Sequence, residues 1–109
     1  MRRFGQHAEL KPEKVEEYVA LHAAVWPEIR QIISDCHMQN YSIFIDGTDL
    51  FCYFEYTGSD YEADCRKMAE DPRMQAWWTH TKPCFTKYKD TSTEPFYNDM
   101  EQIFLFSGN

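Results

Sequence analysis

The chain is predicted to be an α+β protein, an antiparallel sheet with its helices gathered on one face. Three observations carry that expectation: segments alternating with period two, segments whose apolar residues recur at three- and four-residue spacing, and the order in which the two kinds follow one another. Residues 2–10 alternate weakly, with Phe4, Gln6, Ala8 and Leu10 on one side, and predict a first strand. Lys11-Pro12 then starts a helix. Pro12 suits a first helical turn, Glu13, Glu16 and Glu17 favour the positive N-terminal end, and Val15, Tyr18, Val19 and His22 recur at helical spacing through about His22. Pro27 opens a second helix, on which Ile29, Ile32, Ile33 and Cys36 form an apolar stripe.

Between Met38 and Asp46, Tyr41, Ile43 and Ile45 point one way and Ser42 and Phe44 the other. Asp46-Gly47 supplies turn chemistry and Leu50 to Tyr56 is the returning strand, so the region reads as a β-hairpin. Gly58-Ser59-Asp60 offers caps for a helix over about 60–70. Asp71-Pro72 is expected to stop that helix before a short segment carrying Met74, Trp77 and Trp78. Tyr88 to Pro95 has loop composition, and a last strand is expected from Gln102 to Phe106. Strand, helix pair, strand, strand, helix, strand is the split βαβ order of a ferredoxin-like sandwich. Helices cover one face of such a sheet. The strands carry large side chains on both faces, so the other face needs cover from a second copy or from the helical insert and loop over 72–98, and a homodimer is the simplest solution.

With 109 residues the whole chain, 1–109, is expected to be one domain, and 43% hydrophobic and 17% aromatic residues are enough to form a core without staples. Eleven Lys and Arg oppose eighteen Asp and Glu, a formal charge of −7, with no basic cluster beyond Arg2-Arg3. A phosphate-binding surface has no source, and nucleic acid is not an expected partner. No apolar run approaches the ~20 residues that cross a bilayer, and Gln6, His7 and Glu9 interrupt any secretory leader. A cytoplasmic protein without a membrane partner is the expectation. The four cysteines, Cys36, Cys52, Cys65 and Cys84, are widely spaced and read as reduced thiols.

Tyr18 and His22 stand one helical turn apart and project from nearly the same face, so both can address one small ligand. An imidazole titrates near neutral pH and can donate or accept a proton, which makes His22 the candidate catalytic residue. An imidazole acting as the acid would lose activity as it deprotonates near its ordinary pKa of ~6.5. The alternative is a helix histidine that is merely hydrogen-bonded. Trp77-Trp78 must send its indoles in different directions, so at least one lines a surface or a cavity. Indole faces stack on the C–H faces of sugars, and Tyr18 and Tyr41 add amphipathic contacts; a monosaccharide is a sensible ligand, with core or interface packing as the alternative. No paired histidines at metal spacing, no glycine-rich phosphate loop and no nucleophile elbow occur. The expectation is therefore no metal and no cofactor.

Several joined motifs, Glu17-Tyr18-x-x-x-His22, Trp26-Pro27-Glu28, Asn40-Tyr41-x-Ile43-x-Ile45-Asp46, Trp77-Trp78 and Glu101-Gln102-Ile103-Phe104, resemble the L-rhamnose mutarotase family over nearly the whole chain. The resemblance implies a dimeric ferredoxin-like α/β barrel that interconverts the α and β anomers of L-rhamnose without metal or nucleotide. It also implies His22 as proton donor and Tyr18, Tyr41, Trp77 and Trp78 as substrate-binding residues. Residues 71–76 and 83–100 depart from the family's pattern where they would shape the pocket, and the motifs do not separate L-rhamnose from another 6-deoxy sugar such as L-fucose. A cofactor-independent monooxygenase of the same barrel type and a non-catalytic sugar-binding module are the readings from other classes.

Overall fold

The structure is a computed structural model and describes residues 1–86 and 97–107. Strand β1 (Arg2–Leu10) leads through a 3₁₀ turn at Pro12–Lys14 into helix α1 (Val15–Ala23), and helix α2 (Pro27–Asp35) follows. The hairpin is β2 (Met38–Asp46) and β3 (Asp49–Tyr56), joined at Gly47-Thr48, where Gly47 takes φ of 64° without the clash a Cβ would bring. Helices α3 (Tyr61–Glu70) and α4 (Pro72–Thr81) come next, then β4 (Phe85–Thr86) and β5 (Tyr97–Met100). The sheet runs β2-β3-β1-β4 with β5 also on β1, all antiparallel, so the first strand is central as the ferredoxin-like order requires.

Directly paired residues share a face, and the register therefore sorts the side chains. Ile45, Leu50, Ala8 and Tyr97 form one row across the sheet, and Ile43, Cys52, Gln6 and Asp99 the next. Both rows lie toward the helices, where Ala8, Leu10, Leu50, Cys52, Phe54 and Tyr56 are buried. Phe44, Phe51, His7 and Asn98 make a row on the opposite face. Against the inner face, α2 and α4 pack around Ile29, Ile32, Cys36, Met74 and Trp77. Burying a side chain the size of Ile29 contributes about 1.5–3 kcal/mol, which is why the stripe on α2 faces inward.

Asp71-Pro72 ends α3 at Glu70 as expected, and the segment that follows is itself a regular helix. Asp71 caps a new ten-residue helix, accepting from the Arg73 backbone N–H at 2.9 Å, while Pro72 fills a first-turn position that needs no donor. Residues 102–106 are not a strand: the strand on β1 is Tyr97–Met100, paired with Gly5 to Ala8, which leaves residues 101–107 without regular pairing. Ile103 and Phe104 are 90% and 79% exposed. Val19, placed on the apolar stripe of α1 by spacing, is exposed, because that helix turns its Val15 and Tyr18 side toward the sheet. The loop expected over 88–95 lies outside the described residues.

Candidate functional site

Helix α1 positions the histidine and one tyrosine. Tyr18 is buried against Ala8, Leu10, Leu50 and Phe85, while His22, one turn later, is half-buried. The His22 Nδ1–H donates to the Tyr18 carbonyl oxygen at 2.9 Å, a partner that the same helix supplies. That bond sets the tautomer: the neutral ring carries its lone pair on Nε2. Burial lowers the His22 pKa below its ordinary 6.5, the carbonyl contact only partly opposing the shift. At neutral pH the imidazole is therefore uncharged and basic at Nε2, the reverse of the acid-first state expected from spacing.

Aromatic rings enclose this imidazole. The Tyr18 ring centre lies 4.2 Å from that of His22, and the Trp77 indole meets it edge-on at 5.7 Å. Trp26 packs edge-on to Trp77 at 5.0 Å and also against His80. Because α4 is a regular helix, adjacent Trp77 and Trp78 diverge by about 100°. Trp77 is buried in the α2–α4 core, while Trp78 carries the Lys82 ammonium 4.2 Å from its ring centre. Trp78 also lines a shallow groove of about 520 Å³ with Gln75, Thr79, Lys82 and Pro83. The fold thus brings His22, Tyr18 and Trp77 into contact and sends Trp78 to another surface.

Tyr41 reaches the same interior from the hairpin. A bulge between Gln39 and Ser42, with Asn40 at φ of 51°, re-aims the strand there. The Tyr41 ring stacks on Phe54 at 5.1 Å and 7°. Its outer edge is exposed, but its hydroxyl end is enclosed near Cys52, and burial first and the Cys52 thiol second push its pKa well above the usual phenol range. Burial likewise pushes Tyr18 up to about 12 and Cys52 up to about 11. These phenols and this thiol are neutral donors at physiological pH, suited to sugar hydroxyls.

Spacing did not single out three further residues of the site. Trp26 was visible in the Trp26-Pro27-Glu28 motif, but its packing on Trp77 was not. Phe85 meets Tyr18 edge-on at 5.3 Å, and the Tyr97 hydroxyl lies 3.4 Å from that of Tyr18. Both arrive from β4 and β5, short strands with no periodic signal. On the outer side of α1, Glu17 accepts from the Cys84 thiol at 3.3 Å and pairs with Lys14 at 3.5 Å, which together hold its carboxyl below the usual range. Among the described residues, no group of three or more His, Cys, Asp or Glu side chains is placed to hold a metal ion.

Comparison with known proteins supplies the context. In fold, the chain is similar to the crystal structure of L-rhamnose mutarotase from Formosa agariphila, with a TM-score of 0.76 at 24% identity over 97% of this chain and 99% of that one. It is also similar to tetracenomycin F2 cyclase from Streptomyces glaucescens, with a TM-score of 0.73 at 12% identity and full coverage of both chains. Among relatives by sequence, the L-rhamnose mutarotase of Lactiplantibacillus plantarum is 31% identical over 106 residues, covering 95% of this chain and 97% of that protein. That of Listeria monocytogenes serotype 4b is 34% identical over 109 residues, covering 98% and 100%. The family model for L-rhamnose mutarotase matches residues 3–106. Nearly the entire sequence is thus shared with one set of proteins, and the chain belongs to the L-rhamnose mutarotase family.

Proposed function

We propose that this chain is an isomerase that interconverts the α and β anomers of L-rhamnose, with His22 moving the proton. The observation that carries the reading is the tethered, ring-flanked imidazole: Nδ1 bonded to the Tyr18 carbonyl, with Tyr18 and Trp77 on its flanks. In mutarotation the anomeric hydroxyl loses a proton and the ring oxygen gains one as the C1–O5 bond breaks; the aldehyde turns, and the ring closes on its other face. Neutral Nε2 accepts the proton from the anomeric hydroxyl, and the imidazolium so formed gives it to the ring oxygen. His22 is thus both base and proton donor within one cycle, and atoms and charge balance without a further reactant.

Tyr18, Tyr41 and Trp77 are assigned to sugar binding, with aromatic faces against C–H groups and the C6 methyl, and phenol donors toward hydroxyls. Trp78 faces the separate groove with Lys82 and stands outside this pocket. The protein is read as a cytoplasmic homodimer. All four cysteines are free thiols, and among the described residues no helix is long and apolar enough to cross a membrane. The exposed outer sheet face and the unpaired apolar residues 103–106 offer surface for a second copy.

Saturation-transfer NMR on L-rhamnose, L-fucose and control aldoses tests the reading. Wild type should accelerate anomer exchange most for L-rhamnose, and His22→Ala should lose roughly 10²–10⁴-fold of that acceleration. Exchange unchanged by the substitution would remove His22 from the reaction; no acceleration with any sugar would defeat the isomerase assignment.

A further inference from the structure

Tyr97 of β5 lies opposite Ala8 of β1, and the single methyl of Ala8 leaves room for the Tyr97 ring between sheet and helix. That ring packs 5.2 Å from Phe85, which in turn meets Tyr18 edge-on. The ring stack ends with the Tyr97 and Tyr18 hydroxyls 3.4 Å apart. A neutral phenol has a single proton to donate. If Tyr18 gave its proton to Tyr97, it would offer a sugar only lone pairs. If Tyr97 gives its proton to Tyr18, the Tyr18 proton stays available to a sugar hydroxyl. Burial raises the pKa of both phenols, so each keeps its proton at physiological pH and only the direction of donation is at issue.

We propose that Tyr97 is a positioning residue: its hydroxyl donates to the Tyr18 oxygen and so commits Tyr18 to donate to a hydroxyl of the monosaccharide held beside His22. The assignment rests on the mutarotase reading for the identity of that ligand. The 3.4 Å separation exceeds the usual ~2.7–2.8 Å of a hydroxyl pair, and site hydrogen bonds commonly tighten only once substrate is bound.

Tyr97→Phe removes the donor and keeps the packed ring. Saturation-transfer NMR across a range of L-rhamnose concentrations should show KM raised roughly three- to tenfold, the loss of about one net hydrogen bond, with kcat and the shape of the pH profile little changed. Adding Tyr97→Phe to Tyr18→Phe should raise KM no further. An unchanged KM in Tyr97→Phe, or an equal increase in both backgrounds, overturns the proposal, because a packing role alone would act in either background. If wild type accelerates no exchange, the isomerase reading fails while the proposal is still decided, by calorimetric titration of L-rhamnose into the same four proteins. Coupled losses of affinity would support it; additive losses, or no binding to wild type, would overturn it.

Discussion

His22 is a neutral base at rest because two local facts act together: its Nδ1 proton is committed to the Tyr18 carbonyl, and its half-buried setting disfavours the imidazolium. The consequence for catalysis has a definite sign. Exchange should be constant from about pH 7 upward and should fall as pH drops through the lowered His22 pKa, since a protonated ring cannot accept the anomeric proton. A rate–pH profile by NMR checks this; a rate that instead declined between pH 6 and 8 would return His22 to an acid-first role. Stability has the same direction. The folded pKa lies below the unfolded one, so the contribution of His22 is fully present above about 6.5 and is lost as pH falls toward the folded value.

Helix α3 is anchored through a small polar knot beneath its first turn. Asp64 accepts from the Tyr56 hydroxyl and, at 3.0 Å, from His37 Nδ1, while the Tyr56 oxygen accepts from the Asp60 backbone N–H at 3.0 Å. Asp60 itself caps the helix through Ala63. The connection from β3 must pass this knot closely, and a Cβ on Gly58 would stand 2.6 Å from the Tyr56 ring and 2.8 Å from the Asp64 carboxylate. Gly58→Ala should therefore cost about 1–3 kcal/mol in urea denaturation, by overpacking against a buried, hydrogen-bonded ring. A cost near zero would mean that Tyr56 swings aside freely. The same reasoning explains why α4 matters more than its length suggests: its regular turn places Trp77 on His22 and turns Trp78 toward Lys82.

Across the molecule the helices cover one sheet face and leave the other with Phe44, Phe51 and Met100 at 65%, 40% and 46% exposure, and in the C-terminal segment Ile103, Phe104, Leu105 and Phe106 are exposed as well. A monomer with so much uncovered apolar surface has a strong reason to associate. Sedimentation should give about twice the 13.0 kDa chain mass. Phe104→Asp should weaken the dimer at least tenfold by placing a carboxylate where a second copy would bury a ring. In a protein that works as a monomer the same change would be silent, since Phe104 is 79% exposed there.

Local pattern was enough to read most of the scaffold. Pro12 and Pro27 mark helix starts, the stripe of Ile29, Ile32 and Cys36 faces the core, and the alternation on either side of Gly47 marks the hairpin, because each depends on neighbours within a few residues. The Tyr18–His22 pairing was legible for the same reason, one helical turn being a local distance. Three outcomes depended on residues far apart in the chain. Which of the two indoles, Trp77 or Trp78, is buried rests on α4 packing against α2; the neutral state of His22 rests on burial; and the meeting of Tyr97 with Tyr18, 79 residues apart, rests on β5 pairing with β1. Residues 102–106 carry a strand-like apolar run, Ile103 to Phe106, but no strand pairing among the described residues. Whether such a segment pairs is set by which edges are already filled, and β1 is already occupied by Tyr97–Met100.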